Sequence, residues 1–310
     1  MGGCLVLKSH LRKTGLVTLA CLLVWLLLPF ANASGTAAAA AESSSDQLIV
    51  INKKTNKLAF FEGGELIRTF SVATGRTNKL TPEGTFEIVN KIKNRPYYKD
   101  HIKGGDPKNP LGDRWMGLDV NGTAGTTYAI HGNNNSKSIG KYVSSGCIRM
   151  NNDEIHWLFP QIKIGTKAVI TNSKLSMIEI AENHGYPVLH DYDGKLLVNG
   201  KAVKLDHPAV ILGSQVFVPM RELFGLLGAK VTWNNEKKTV TAVIGDRTLT
   251  HIPLTNVVKL NGETVKITAS RVIANSTMLP LRNISELTGF KVIWDAEKKE
   301  IRVTGGAAKK

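Results

Sequence analysis

Two residues in this 310-residue chain have the types and spacing for covalent chemistry that needs no cofactor. His131 is followed by glycine, and Cys147 stands 16 positions further on. A thiolate is a strong nucleophile, and a histidine within reach can take the thiol proton. A free thiol titrates near ~8.5, so at neutral pH the cysteine needs such a partner. The stretch from His131 to Met150 reads HGNNNSKSIGKYVSSGCIRM, with Gly146 before the cysteine and Arg149 two positions after it. That pattern predicts a tight turn presenting the thiol beside a fixed positive charge. Backbone N–H groups of Gly146 and Cys147 are candidates to hold the oxyanion of an acyl transfer. Arg149 is a planar, permanently charged donor suited to a substrate carboxylate. Each residue also has a plainer reading, as a buried thiol, a histidine bonded to a carbonyl, or a surface arginine. Taken together, the residues themselves point to a cysteine acyl-transfer site and name no substrate.

The elements that must position this pair read as short strands. From Gln47, the run QLIVINKKTNKLAFFEGGELIRTFSVATG alternates strand and turn, with turns at Lys54–Asn56 and Gly63–Gly64. TPEGTFEIVNKI adds a strand, TTYAIHG another that ends at His131, and KAVIT a last one. β-branched and aromatic content predicts an antiparallel, β-rich domain over residues 47–172. DEIHWLFPQI reads as a short helix, with Asn152 or Asp153 as its cap. The stretch 93–113 is rich in Pro and Gly with little periodicity, a loop of the length that often covers a functional site.

Residues 1–33 carry Lys8, Arg12 and Lys13, then the apolar run GLVTLACLLVWLLLPF, then Ala31-Asn32-Ala33. This is the order of a secretory signal peptide, with cleavage expected near Ala33 and membrane contact only during export. An uncleaved anchor is the other reading, and the apolar run is short for a span of ~20 residues. Residues 34–46 form a small, polar spacer, 173–194 a connector, and 305–310 a tail. Cys4 and Cys21 fall in the leader, so Cys147 is alone beyond it and no disulfide framework is expected. The formal charge of +15 favours anionic partners such as envelope polymers. The cations are spread along the chain instead of being interleaved with aromatics, which argues against nucleic acid.

Residues 195–304 contain an internal repeat. VPMRELFGLLGAKVTWNNEKKTVTAV aligns without gaps to LPLRNISELTGFKVIWDAEKKEIRVT, pairing Arg221 with Arg282 and Trp233 with Trp294. Each unit predicts a helix ended by glycine, a strand through the tryptophan, a turn and a second strand. Asn199-Gly200 and Asn261-Gly262 mark a hairpin before each unit. The fold class expected is a mainly β catalytic domain followed by a duplicated α+β module.

The segment IHGNNNSKSIGKYVSSGCIRM resembles the active-site signature of the L,D-transpeptidase (YkuD-type) catalytic domain, which crosslinks bacterial peptidoglycan. Ser144, Gly146, Cys147, Ile148 and Arg149 match in place, while Ser145 stands where many members have a second histidine. The resemblance spans residues 47–172 and includes TPEGTF and NPLGDRWMGLD. It implies that Cys147 attacks the amide after the L-centre of a stem-peptide diamino acid and expels terminal D-alanine. An amine of a second stem, or water, then resolves the thioester. It further implies that His131 moves the protons, and that Arg149, Ser144, Gly132 and Asn133 contact substrate. It also implies acylation by carbapenems.

Residues 195–304 resemble the copper amine oxidase N-terminal-like domain. His184, His190, His207 and His251 lack ligand spacing, so neither metal nor other cofactor is expected there, and a wall- or partner-binding role is the better reading. Two alternatives to a crosslinking enzyme stay open at this point. One is an L,D-carboxypeptidase that trims stem peptides. The other is a non-catalytic wall-binding protein drawn to anionic polymers.

Overall fold

A computed structural model describes residues 46–295 and 297–305. The leader, nearly all of the spacer and most of the tail lie outside the described residues.

An eight-stranded sheet is built from β1 (Gln47–Asn52), β2 (Lys57–Glu62), β3 (Glu65–Ser71), β5 (Gly84–Lys93), β6 (Arg114–Leu118), β7 (Tyr128–His131), β9 (Ile148–Arg149) and β10 (Lys167–Thr171), in the order β3-β2-β1-β10-β5-β6-β7-β9. Two short strands, β4 (Thr74–Gly75) and β8 (Tyr142–Ser144), form a separate parallel pair. The mainly β expectation holds, but the sheet is mixed instead of antiparallel. β1 pairs with β10 in parallel, and so does β7 with β9. Hydrophobic alternation reports which face a residue takes and carries no information on strand direction.

One face of the sheet is covered by α1 (Asn152–Gln161). Ile49, Ile51, Ile88, Met116, Ile130 and Ile148 pack beneath its Ile155, Leu158 and Phe159. Each such side chain withdrawn from water contributes roughly 1.5–3 kcal/mol. The expected cap is not the one observed. Asn151 holds the N-cap position without a side-chain bond, and the side chain of Asn152 bonds Asn133 instead.

The opposite face is covered over β1 by the segment read as a connector. α2 (Met177–Asn183) starts in a capping box in which Ser176 and Glu179 bond reciprocally. Its Ile180 and Ala181, with Tyr186 and Val188, pack on Leu48, Val50, Phe61 and Val169. β1 is therefore buried on both faces, which is why its LIVI run does not alternate.

In the C-terminal part, each repeat gives a strand, a helix and a strand pair. The first unit holds β15 (Gln215–Pro219), α3 (Met220–Leu226), β16 (Lys230–Asn234) and β17 (Thr239–Ile244). After it come β18 (Arg247–His251), β19 (Val257–Leu260) and β20 (Glu263–Lys266). The second unit holds β22 (Ser276–Pro280), α4 (Leu281–Thr288), β23 (Lys291–Asp295) and β24 (Glu300–Thr304). β15 and β22 pair across the pseudo-symmetry centre. Ahead of the first unit lie β12 (Lys195–Val198) and β13 (Lys201–Val203), the Asn199-Gly200 hairpin. β24 pairs in parallel with β12, so the end of the second repeat is secured by the hairpin that opens the first. β18, after the first unit, lies between β17 and β19, and this extra strand breaks the symmetry.

Candidate active site

The site is assembled by strand register. β7 and β9 run in parallel with Ile130 opposite Ile148 and His131 opposite Arg149. On the other side, Trp115 of β6 is opposite His131. Side chains alternate across a strand, so Ile130, Ile148 and Met116 enter the core while Trp115, His131 and Arg149 share the other face. Continuing that register back one step sets Cys147 beside Ala129, on the face that carries His131. The backbone of Ala129 is accordingly a hydrogen-bonding neighbour of the thiol. Cys147 and His131 thus lie on one face of adjacent strands.

His131 is 3% exposed and stacks on Trp115 with ring centroids 5.7 Å apart and planes 15° from parallel. Its Nδ1 bonds the carbonyl of Gly132 at 2.6 Å. A carbonyl only accepts, so that nitrogen carries the proton and the neutral ring keeps a lone pair on the other. Burial drives the imidazole down to about 4; the Gly132 and Leu111 carbonyls oppose this, and the charges of Arg149 and Arg95 reinforce it. Burial likewise pushes the Cys147 thiol up, and the Ala129 backbone, Arg149 and Arg95 pull it back only in part. At neutral pH the resting pair is therefore neutral imidazole and thiol, a base and its substrate proton, and not a preformed ion pair. The thiol is half-buried and reaches the carbonyl of Thr127 at 3.5 Å.

The loop that holds the cysteine is braced from below. Gly146 has φ +140°, and a Cβ there would meet the carbonyl of Leu80 at 2.7 Å and the Tyr128 ring at 2.9 Å. Thr81 Oγ1 donates to the Gly146 carbonyl at 2.9 Å and accepts from Gly75 N at 2.8 Å. Lys53, 3% exposed, holds the Thr81 segment through the carbonyls of Asn78 and Thr81 at 2.7 and 2.9 Å, with Glu83 at 2.9 Å. Ala73 and Arg149 exchange two backbone bonds of 2.9 Å, which tie the far side of β9.

Several expected substrate contacts are taken up by the scaffold. Ser144 is fully buried, and its Oγ accepts from Gly146 N at 3.1 Å, so it cannot reach a substrate in this arrangement. The same bond engages Gly146 N–H, which removes it as an oxyanion donor and leaves that expectation with Cys147 N–H. Asn133 is 5% exposed and committed on every side: Nδ2 to Met150 O at 2.5 Å, N to Asn152 Oδ1 at 2.9 Å, and Oδ1 from Asn135 N at 2.7 Å. Gly132 is a packing glycine, where a Cβ would lie 2.5 Å from Asn152 Oδ1, and its carbonyl orients His131. Arg149 is half-buried, and its guanidinium has no hydrogen-bond or ion-pair partner among the described residues. Ser145 is exposed and accepts from Arg76 Nη2 at 3.0 Å.

Sequence reasoning missed Arg95, Trp115, Lys53 and Thr81. TPEGTF and NPLGDRWMGLD contain two of them, but only pairing across strands shows what they touch. The 93–113 loop expected as a cover is tied at its base by Asn94 N to Asp113 O at 2.9 Å. Internally, Asn109 Nδ2 donates to the carbonyls of Arg95 and Lys103 at 2.9 and 3.3 Å. A polar cavity of about 580 Å³ lies beside it, lined by Pro107, Asn133, Asn134 and Glu154 among others.

A model of the L,D-transpeptidase catalytic domain matches residues 46–170, which hold this site and the sheet around it. A second model, of the copper amine oxidase N-terminal domain, matches residues 197–303. A Bacillus subtilis protein named "Putative L,D-transpeptidase YqjB" is 49% identical over 139 residues, 45% of this chain and 79% of that protein. A Bacillus licheniformis relative, YkuD, is 35% identical over 40% of this chain and 64% of its own length. This chain belongs to the L,D-transpeptidase family. Among solved structures, an Enterococcus faecium L,D-transpeptidase is similar at 20% identity and a TM-score of 0.32, covering 40% of this chain and 49% of that one. The chain thus spans less than two thirds of some relatives, including YkuD.

The second model's name invokes copper, and the histidines do not fit it. His251 has both ring nitrogens engaged, by Val257 O and Ser270 Oγ. His190 and His207 bond Glu182 and Glu222 respectively. Among the described residues no three His, Cys, Asp or Glu side chains converge as a metal site.

Proposed function

We propose that the protein is an exported peptidoglycan L,D-transpeptidase that works through a Cys147 thioester. The observation that carries this reading is the placement of Cys147, His131 and Arg149 on one face of two adjacent parallel strands. His131 takes the thiol proton as Sγ attacks the amide carbonyl carbon between the stem's diamino acid and its terminal D-alanine. The C–N bond breaks, and the imidazolium returns that proton to the departing amine. An amine of a second stem then attacks the thioester carbonyl and gives its proton to His131, and Sγ leaves and recovers a proton as the thiol. The Cys147 N–H faces the developing oxyanion. The unpaired Arg149 guanidinium meets the stem carboxylate, where a bidentate pair gives both charge and orientation.

Export rests on the residue order of 1–33, with the mature chain outside the cytoplasm in contact with the wall. The basic charge favours anionic wall polymers as a secondary partner. The test is incubation with purified tetrapeptide muropeptides. Crosslinked dimers with the wild type and none with Cys147→Ala support the proposal. Tripeptide monomers alone would assign trimming, and identical products from both proteins would refute a cysteine enzyme.

A further inference from the structure

Arg95 lies outside the signature, in the loop between β5 and β6, yet it belongs to the site by contact. Its Cζ is 3.7 Å from the centroid of the Trp115 ring, and that ring stacks on His131. The Trp115 indole therefore contacts both the guanidinium and the imidazole. The indole is fixed edgewise by Nε1 donating to Gly125 O at 3.0 Å. Arg95 Nη2 donates to Thr126 O at 2.9 Å, one residue before the carbonyl that the Cys147 thiol reaches. Arg95 Nη1 is buried without a partner. A buried donor with no acceptor is unfavourable for folding, and strain retained beside reacting groups is the kind of feature that serves a site. The backbone that carries this side chain is anchored, because Asn109, 1% exposed, bonds the Arg95 carbonyl at 2.9 Å.

We propose that Arg95 is a positioning residue for the Cys147–His131 pair, holding the Trp115 indole flat against the imidazole and adding, with Arg149, a second permanent cation near the thiol. A flat, weakly hydrated cation on an aromatic face does both jobs, which a compact ammonium does less well. The charged groups that act on the thiol are Arg149 from β9 and Arg95 from the loop; the same two act on His131, and Tyr98 lies near Arg95 itself. Among the described residues, no carboxylate is a leading influence on either group. Removing Arg95 takes away one of two cations favouring the thiolate, so the thiol ionises at higher pH.

The inference rests on Cys147 being the nucleophile, and its test needs no peptidoglycan. The rate of Cys147 alkylation by iodoacetamide is followed against pH on the full chain for wild type, Arg95→Met and Arg95→Lys. Met keeps an apolar stem over Trp115 without charge, and Lys keeps the charge without the planar fork. Arg95→Met is expected to alkylate about three- to tenfold more slowly at neutral pH, with its inflection moved upward, and Arg95→Lys to show a smaller upward move. Arg95→Gln replaces Arg95→Met if the latter does not fold. A wild-type profile in the uncharged variant, or an equal upward shift in Arg95→Lys, overturns the proposal. If instead Cys147→Ala retains full activity on muropeptides, the transpeptidase reading fails while the alkylation profiles still decide the role of Arg95.

Discussion

Holding His131 neutral has a cost that appears in acid. The imidazole sits at about 4 in the fold against 6.5 for an ordinary histidine. Below pH 6.5 the unfolded chain binds a proton at this residue that the folded protein refuses until about pH 4. Over that window the unfolded state binds more protons, so stability falls as pH falls. The gap corresponds to roughly 3 kcal/mol in total, a large fraction of the stability of an ordinary domain. It is fully present above the unfolded value and lost on descending to the folded one. Replacing His131 with Asn, which keeps an N–H for the Gly132 carbonyl, removes the titration and leaves other groups unchanged. Urea unfolding of both proteins from pH 7 to pH 4 reads the difference, and the contributions of remote carboxylates cancel between them. The wild type is expected to lose roughly 3 kcal/mol more than the variant across that range. Parallel stability curves would show that His131 titrates in the fold as it does in water, and would refute the neutral-pair description of the site.

Three further outcomes follow from the scaffold. Gly146→Ala places a Cβ against the Leu80 carbonyl at a φ of +140°, so it is expected to lose about 1–3 kcal/mol in thermal or denaturant unfolding and to abolish acylation of Cys147. Thr81→Val leaves the Gly146 carbonyl and Gly75 N without their shared partner and is expected to cost about 1–3 kcal/mol, with acylation slowed more than equilibrium ligand binding. Because burial raises the Cys147 thiol, its alkylation in the wild type is expected to inflect above the ordinary thiol range; an inflection below that range would mean a preformed thiolate.

Much of the architecture was legible because its signals are local. Strands β1 to β3 are bounded by turns at Lys54–Asn56 and Gly63–Gly64, and both repeats show the same helix and strand pair. Residue type and spacing singled out Cys147 and His131, and strand register sets them on one face. Pairing across long separations was not. The parallel match of β1 with β10 joins the two ends of the catalytic sheet, and periodicity does not encode it. The residue-level reading of the site erred where polar side chains near the cysteine turned inward. Ser144 and Asn133 look like substrate contacts in sequence, but a tight loop around a thiol has backbone groups of its own to satisfy, and these side chains do that. Arg95 and Lys53 were not singled out at all, since nothing around an isolated cation in a basic chain marks it as part of a site. For the segment 173–194 a usable signal was present: Ser176 and Glu179 at capping-box spacing announce α2, whose packing on β1 makes this stretch part of the core.

The central claim is a covalent acyl group on one sulfur, and intact-protein mass spectrometry after mixing with a tetrapeptide stem or a carbapenem tests it most directly. A single adduct that maps to Cys147 and is absent from Cys147→Ala is expected. A folded wild-type protein that turns over muropeptides without an adduct at Cys147, or forms the same adduct in Cys147→Ala, would contradict it.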